Sequence, residues 1–226
     1  HVLEVGCGWG GFMIRAVEKT GCKVTGVTLS EKQFNYCKER IKEKNLEDKI
    51  NLLLIDYRNV KGKFDKIVSI EMIEAIGFEY LDTYFSKLKS LCKKNGILVI
   101  QAISLIKKNH DKQLKNSDFL REYIFPGSNC SSFDYLTKSA VKYDWNIQDV
   151  KEMGLHYAKT LNMWNNRFLS NENKIINENF DEKFIRMFNY YFKYCESAFS
   201  SRVVKLYQIT FSTSHNLLFD DKHLSN

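Results

Sequence analysis

The sequence predicts a doubly wound α/β fold with a mostly parallel, seven-stranded sheet. Three observations lead there: short apolar runs alternate with helical patterns, the runs are near-continuously apolar, and a glycine-rich turn follows the first of them. Residues 2–5, 23–28, 50–55, 64–70 and 96–103 read as buried strands rich in Val, Ile and Leu. The clearest helix covers 30–44, with Phe34, Cys37 and Ile41 on one face and lysines on the other. Ser30 with Gln33 three positions on fits a capping box at its start.

After residue 103 the pattern changes. Residues 107–115 are polar and basic, 119–125 are rich in aromatics, and Pro126-Gly127 marks a turn. Residues 133–143 read as a helix, 145–153 as a sixth strand and 203–213 as a long closing strand. Between them Phe180, Phe184, Phe188, Tyr191, Phe192, Cys195 and Phe199 recur at three- and four-residue steps. Helical periodicity alone produces such a stripe, so a core helix is the first reading and a ligand channel the second. The 226 residues form one domain: a first half over 1–103, a helical cap or insertion over 104–200, the closing strand over 201–213 and a tail over 214–226.

Composition narrows the class. A chain with 44% hydrophobic and 14% aromatic residues is not disordered, and one proline with eleven glycines excludes collagen-like architecture. The longest apolar run, 97–106, is interrupted by Gln101 and Ser104, and falls short of the ~20 residues that cross a bilayer. Six cysteines at 7, 22, 37, 92, 130 and 195 show no zinc spacing, so no metal is expected and reduced thiols in a cytoplasmic protein are. The chain opens inside the apolar run His1-Val2-Leu3-Glu4-Val5, without a leader, and reads as a fragment lacking its natural N-terminus.

Gly6-Cys7-Gly8-Trp9-Gly10-Gly11 satisfies G-x-G-x-x-G, the turn that brings a dinucleotide pyrophosphate to a helix N-terminus. Such a site also needs an acidic residue ~20 positions on to bind ribose. Residues 24–30 hold no carboxylate. Glu4 instead precedes Gly6 by two residues, an arrangement that resembles motif I of S-adenosylmethionine-dependent methyltransferases. There the glycines admit the cofactor closely, and the carboxylate either orients the loop or faces the cofactor's ammonium.

Further segments carry a narrower resemblance: Gly26-Val27-Thr28-Leu29-Ser30 with Gln33, Asp56-Tyr57-Arg58, and Ile70-Glu71-Met72-Ile73-Glu74-Ala75-Ile76-Gly77. Tyr123-Ile124-Phe125-Pro126-Gly127, Gly154-Leu155-His156-Tyr157-Ala158 and Phe184-Ile185-Arg186-Met187-Phe188 agree. Across essentially the whole chain the sequence resembles the cyclopropane-fatty-acyl-phospholipid and mycolic acid cyclopropane synthases, and at Glu74-Ala75 and Gln101-Ala102-Ile103-Ser104 the plant-type branch in particular.

The resemblance implies a class I methyltransferase fold with a helical insertion over the substrate site. It implies S-adenosylmethionine contacts from Glu4, Gly6, Cys7, Gly8, Thr28, Leu29, Gln33, Tyr57 and Arg58. Capping alone also accounts for Gln33, and an ordinary loop aromatic for Tyr57. It implies transfer of a methylene to the double bond of an unsaturated phospholipid acyl chain, through a carbocation that loses a proton to a bound bicarbonate. Glu74, Tyr157 and the Ile103 backbone match the bicarbonate cradle; Gln101 and Ala75 stand where bacterial members have histidines. A dipole-complementing carboxylate and a packed interface tyrosine are the plainer roles of Glu74 and Tyr157. The family's cradle also includes a cysteine and covering residues upstream of the first strand.

The net charge of +7 gathers at Lys61/Lys63/Lys66, Lys87/Lys89/Lys93/Lys94 and Lys107/Lys108/Lys112/Lys115. A solvated face and peripheral binding to an anionic membrane both account for these clusters. Methyl transfer to RNA, to another small molecule or to the alkene without ring closure, and an inactive lipid-binding homologue, are the competing readings. No nucleic-acid module is seen, and no oligomeric state follows from the sequence.

Overall fold

The computed structural model describes residues 1–106 and 117–214. Seven strands form one mixed sheet in the order β3-β2-β1-β4-β5-β7-β6, with β1 Val2–Val5, β2 Val24–Thr28, β3 Ile50–Leu54, β4 Phe64–Ile70, β5 Cys92–Leu105, β6 Trp145–Glu152 and β7 Val204–Thr213. Strands β1 to β5 pair in parallel, and β7 runs antiparallel between β5 and β6. Strand order reverses beside β1, so the C-terminal ends of β1 and β4 flank the crevice where open α/β sheets bind ligands.

The two-residue period of β1 divides the core. Leu3 and Val5 enter one cluster with α3 (Leu81–Leu91) and α4 (Phe133–Lys142). Val2 packs on the other side with Met13, Ile14 and Val17 of α1 (Gly11–Thr20) and Cys37 and Ile41 of α2 (Glu31–Glu43). The expected capping box at α2 forms only by half. Ser30 Oγ accepts from the Gln33 N–H at 3.3 Å, but the Gln33 side chain turns back to accept from the Thr28 hydroxyl at 2.9 Å.

The 104–200 segment is a cap only in part. Its α4 packs on α3, and the fully buried Trp145 at the start of β6 belongs to the main core. Residues 154–200 form a helical layer over β7: α5 (Gly154–Ser170), the short α6 (Glu172–Asn177) and α7 (Glu182–Ser200). Ala158 and Leu161 of α5 meet Phe192 and Phe199 of α7 and Leu206 of β7. The aromatic stripe is core in part: Phe192 and Phe199 are buried, Phe188, Tyr191 and Cys195 pack against them, and Phe180 is exposed, while Tyr191, Cys195 and Phe199 also line a cavity. Strand β5 runs past its expected 96–103, because its C-terminal residues pair with β7 as far as Leu105↔Val204.

Glu4 points into the α1 side of the sheet, 3% exposed, and accepts from the Met13 N–H. Its Oε2 has no partner, and burial pushes its carboxyl from 4.5 up to about 8. As pH rises from 4.5 to 8 the unfolded chain releases this proton while the folded chain keeps it, so the group makes stability fall across that window. Glu4→Gln is expected to flatten the slope, changing stability near pH 5 by less than about 1 kcal/mol and adding on the order of 4 kcal/mol at pH 8. Chemical denaturation at both pH values reads it. Close packing gives a second expectation: a Cβ at Gly26 would lie 2.7 Å from Met13 Sδ and 3.2 Å from Cys7 Cβ. Gly26→Ala therefore overpacks the α1–β2 contact and costs about 1–3 kcal/mol, seen as a lowered Tm.

Candidate active site

Two cavities open at the C-terminal edge of the sheet and meet at Ala75, which lines both. The first, about 490 Å³, lies over the ends of β1, β2 and β3. Gly6, Thr28, Leu29, Tyr57 and Arg58 line it, as does Asp56. Gly6 has φ +77, and a Cβ there would sit 2.7 Å from Met72 Cγ, so the residue supplies both the turn and the close approach. Asp56 is gripped by Arg58 through two side-chain bonds, 3.0 and 2.6 Å, which hold its carboxyl below the usual range. Tyr57 is buried edge-on against Tyr84.

Four expected cofactor residues lie outside this lining. Glu4 is buried on the α1 side of the sheet, where it meets the Met13 N–H. Cys7 is buried in the α1 and α2 cluster, and burial pushes its thiol up to about 12. Gly8 belongs to the loop turn with φ +52, and its carbonyl accepts from Cys37 Sγ. Gln33 acts through Thr28, as described.

The second cavity, about 930 Å³, runs between β5, α5 and α7 and is mostly apolar, with aromatic walls from Phe125, Tyr157, Tyr191 and Phe199. Its polar lining includes Glu71, Glu74 and Tyr157 together with Ser117, Asp118, Arg121 and Ser128. Glu74 sits on a 3-10 turn (Ile73–Ala75), 9% exposed. Its Oε1 accepts from the Ile103 N–H at 2.6 Å, and its Oε2 is buried without a partner. Burial pushes this carboxyl to about 7, against the lowering effect of the Ile103 N–H and with a smaller push from Glu71.

Tyr157, from the first turn of α5, donates not to Glu74 but to Glu71 Oε2 at 2.9 Å. Gln101 Nε2 donates to Glu71 Oε1 at 2.6 Å, and Gln208 Nε2 donates to Gln101 Oε1 at 2.8 Å. Glu71 is the residue that sequence reasoning missed. Its signals are a second carboxylate three residues before Glu74 and a place one residue beyond β4. It occupies the left-handed region at φ 49, where a non-glycine residue costs roughly 1–2 kcal/mol, and its N–H is held by the Gln101 carbonyl at 2.9 Å.

These bonds bear on bicarbonate. The tyrosine hydroxyl and the Ile103 N–H, the donors assigned to that anion, are used by the chain's own carboxylates. Gln101, at the histidine position, also donates to one of them. An added anion would face the Glu71 carboxylate with those donors taken. The residues as arranged do not fit bicarbonate.

Two of the lysine clusters are placed away from the cavity linings. Lys61, Lys63 and Lys66 lie at the N-terminal end of β4, and Lys93 and Lys94 at that of β5, the opposite sheet edge, roughly 20 Å along the strands. Lys63, Lys87 and Lys89 donate to backbone carbonyls, and Lys93 pairs with Asp65. The cluster at 107, 108, 112 and 115 lies outside the described residues. Among the described residues, no helix is long and apolar enough to cross a membrane.

Residues 1–209 match the mycolic acid cyclopropane synthetase family. The chain is 34% identical over 211 residues to a tuberculostearic acid methyltransferase of Mycobacterium tuberculosis, covering 93% of this chain and 49% of that protein. It is 34% identical over 212 residues to the cyclopropane-fatty-acyl-phospholipid synthase of Escherichia coli, covering 94% and 53%. The chain thus spans about half the length of these relatives. A crystal structure of a mycolic acid cyclopropane synthase complexed with SAH and CTAB superposes with a TM-score of 0.86 at 28% identity, over 94% of this chain and 77% of that one. On the match along nearly its whole length, the chain belongs to the mycolic acid cyclopropane synthetase family.

Proposed function

We propose that the protein transfers a one-carbon unit from S-adenosylmethionine to the double bond of an unsaturated phospholipid acyl chain and closes a cyclopropane ring. The observation that carries this reading is the meeting of the two cavities at Ala75, one edged by the glycine loop and the other long and apolar. S-adenosylmethionine, when bound, supplies an electrophilic methyl group on sulfonium. Gly6, Thr28, Leu29, Tyr57 and Arg58 hold it in the first cavity, and the small Ala75 side chain leaves the passage between the cavities open.

An isolated alkene is a weak nucleophile, so holding its π bond in line with that methyl in a dry site supplies much of the catalysis. The apolar cavity excludes water, and the faces of Tyr157 and Tyr191 stabilise the cation that attack leaves on the chain. Glu74, pushed to about 7, is part neutral at physiological pH and sits beside Glu71 with less repulsion than a second full charge would bring. The partner is a lipid, met at the cavity.

A second reading, methyl transfer without ring closure, is favoured by the tuberculostearic acid methyltransferase, which is as similar to this chain as the cyclopropane synthase.

Incubation of the protein with labelled S-adenosylmethionine and oleoyl phospholipid, followed by mass spectrometry of the acyl chains, separates these outcomes. The ring appears as a gain of one CH2 that resists mild hydrogenation; a methylene product gains the same mass and is reduced. Label found only in RNA or a small amine contradicts the lipid reading. Glu74→Gln is expected to lower turnover by about 100-fold or more while cofactor affinity stays within about threefold. Lost cofactor binding would show that Glu74 serves the first cavity instead.

A further inference from the structure

Glu71 lines the second cavity beside Glu74, yet nothing above gives it a part in the reaction. Its two oxygens are held by different elements, Oε1 by Gln101 on β5 and Oε2 by Tyr157 on α5. Gln208, on the neighbouring β7, bonds the Gln101 carbonyl and so turns the amide nitrogen toward Glu71. A carboxylate oxygen carries two lone pairs, so each keeps one free after these bonds. This carboxylate is held as a bound oxyanion would be, by the tyrosine hydroxyl assigned to bicarbonate and by the amide at the histidine position. The strained backbone at φ 49 is what brings it there.

We infer that Glu71 stands in the place of an external anion and is the chain's own base. The inference rests on the alkene reading above. The π electrons of the alkene form a bond to the transferred methyl carbon, and the sulfur–carbon bond breaks with its pair left on sulfur. One C–H bond of that methyl then breaks. Its electron pair closes the third bond of the ring, and the proton passes to a Glu71 oxygen, leaving a neutral carboxylic acid that returns the proton to water after product leaves. Tyr157 and Gln101 are positioning residues that aim the carboxylate. No bicarbonate takes part.

The test has a binding arm and a turnover arm, both in buffer scrubbed of carbon dioxide. In the first, 13C-labelled bicarbonate is titrated against the protein and followed by NMR. The wild type is expected to show no saturable binding, and Glu71→Gly, a substitution that suits the positive φ, to gain it. In the second, transfer to oleoyl phospholipid is measured with and without bicarbonate. The wild-type rate is expected to be the same in both, Glu71→Gln to fall about 100-fold or more, and Glu71→Gly to recover about tenfold on adding bicarbonate. Saturable bicarbonate binding by the wild type, or Glu71→Gln turning over at the wild-type rate, overturns the inference. A wild type that labels no alkene under either condition overturns the alkene reading and the base role with it. The binding arm still decides whether Glu71 fills the anion's place.

Discussion

A single backbone hydrogen bond, from the Glu71 N–H to the Gln101 carbonyl, sets the geometry on which the site depends. It extends the β4–β5 ladder one residue beyond β4, at the cost of a left-handed conformation at Glu71. The turn that follows drops Met72 against the glycine loop, Glu74 against the Ile103 N–H and Ala75 between the two cavities. The side-chain bonds of Glu71 then tie the same point to β5 and, through Tyr157, to the helical layer over β7. One residue thereby ties the turn after β4 both to β5 and to the helical layer over β7.

Polar groups in this region are either fully paired or left open at specific atoms. Burial raises the cost of any unpaired donor, so the Tyr157 hydroxyl, the Gln101 amide and the Ile103 N–H each find a carboxylate oxygen. Among the described residues Glu74 Oε2, at the junction where chemistry is proposed to occur, stays unpartnered, as do the Tyr84 hydroxyl and Asn129 Oδ1. Glu4, buried against α1, is pushed toward the neutral form by burial, and its single bond from the Met13 N–H only partly opposes this. Among the described residues, Lys63 and Lys93 stand at the starts of β4 and β5, away from the ligand edge, and hold neighbouring elements there.

Much of the architecture is written in local periodicity. The five parallel strands are readable because central parallel strands run largely apolar, and the aromatics of α7 repeat at helical steps; the antiparallel β6 buries only Trp145 and lacks that signal. Helix α5 is hard to read: its buried positions are Gly154, Ala158, Leu161 and Asn165, of which only Leu161 is a strong hydrophobe. The motif residues Gly6, Thr28, Tyr57, Glu74 and Tyr157 reach the two cavities, but their partners do not follow from spacing. Tyr157 and Glu71 are 86 residues apart and meet only because β7 carries α5 back over β5. The Glu71 conformation is equally invisible, since a tertiary ladder bond, not a local propensity, imposes it.

The central claim is that the chain's own carboxylates complete a site lying where the two cavities meet. A crystal structure of the protein with S-adenosylhomocysteine, grown in bicarbonate, tests it most directly. The account predicts the adenosyl group between Gly6, Thr28 and Tyr57, the sulfur directed past Ala75 into the apolar cavity, and Tyr157 still bonded to Glu71 with no anion between them. A bicarbonate ion bound to Tyr157 and the Ile103 N–H, with Glu71 displaced, would contradict it.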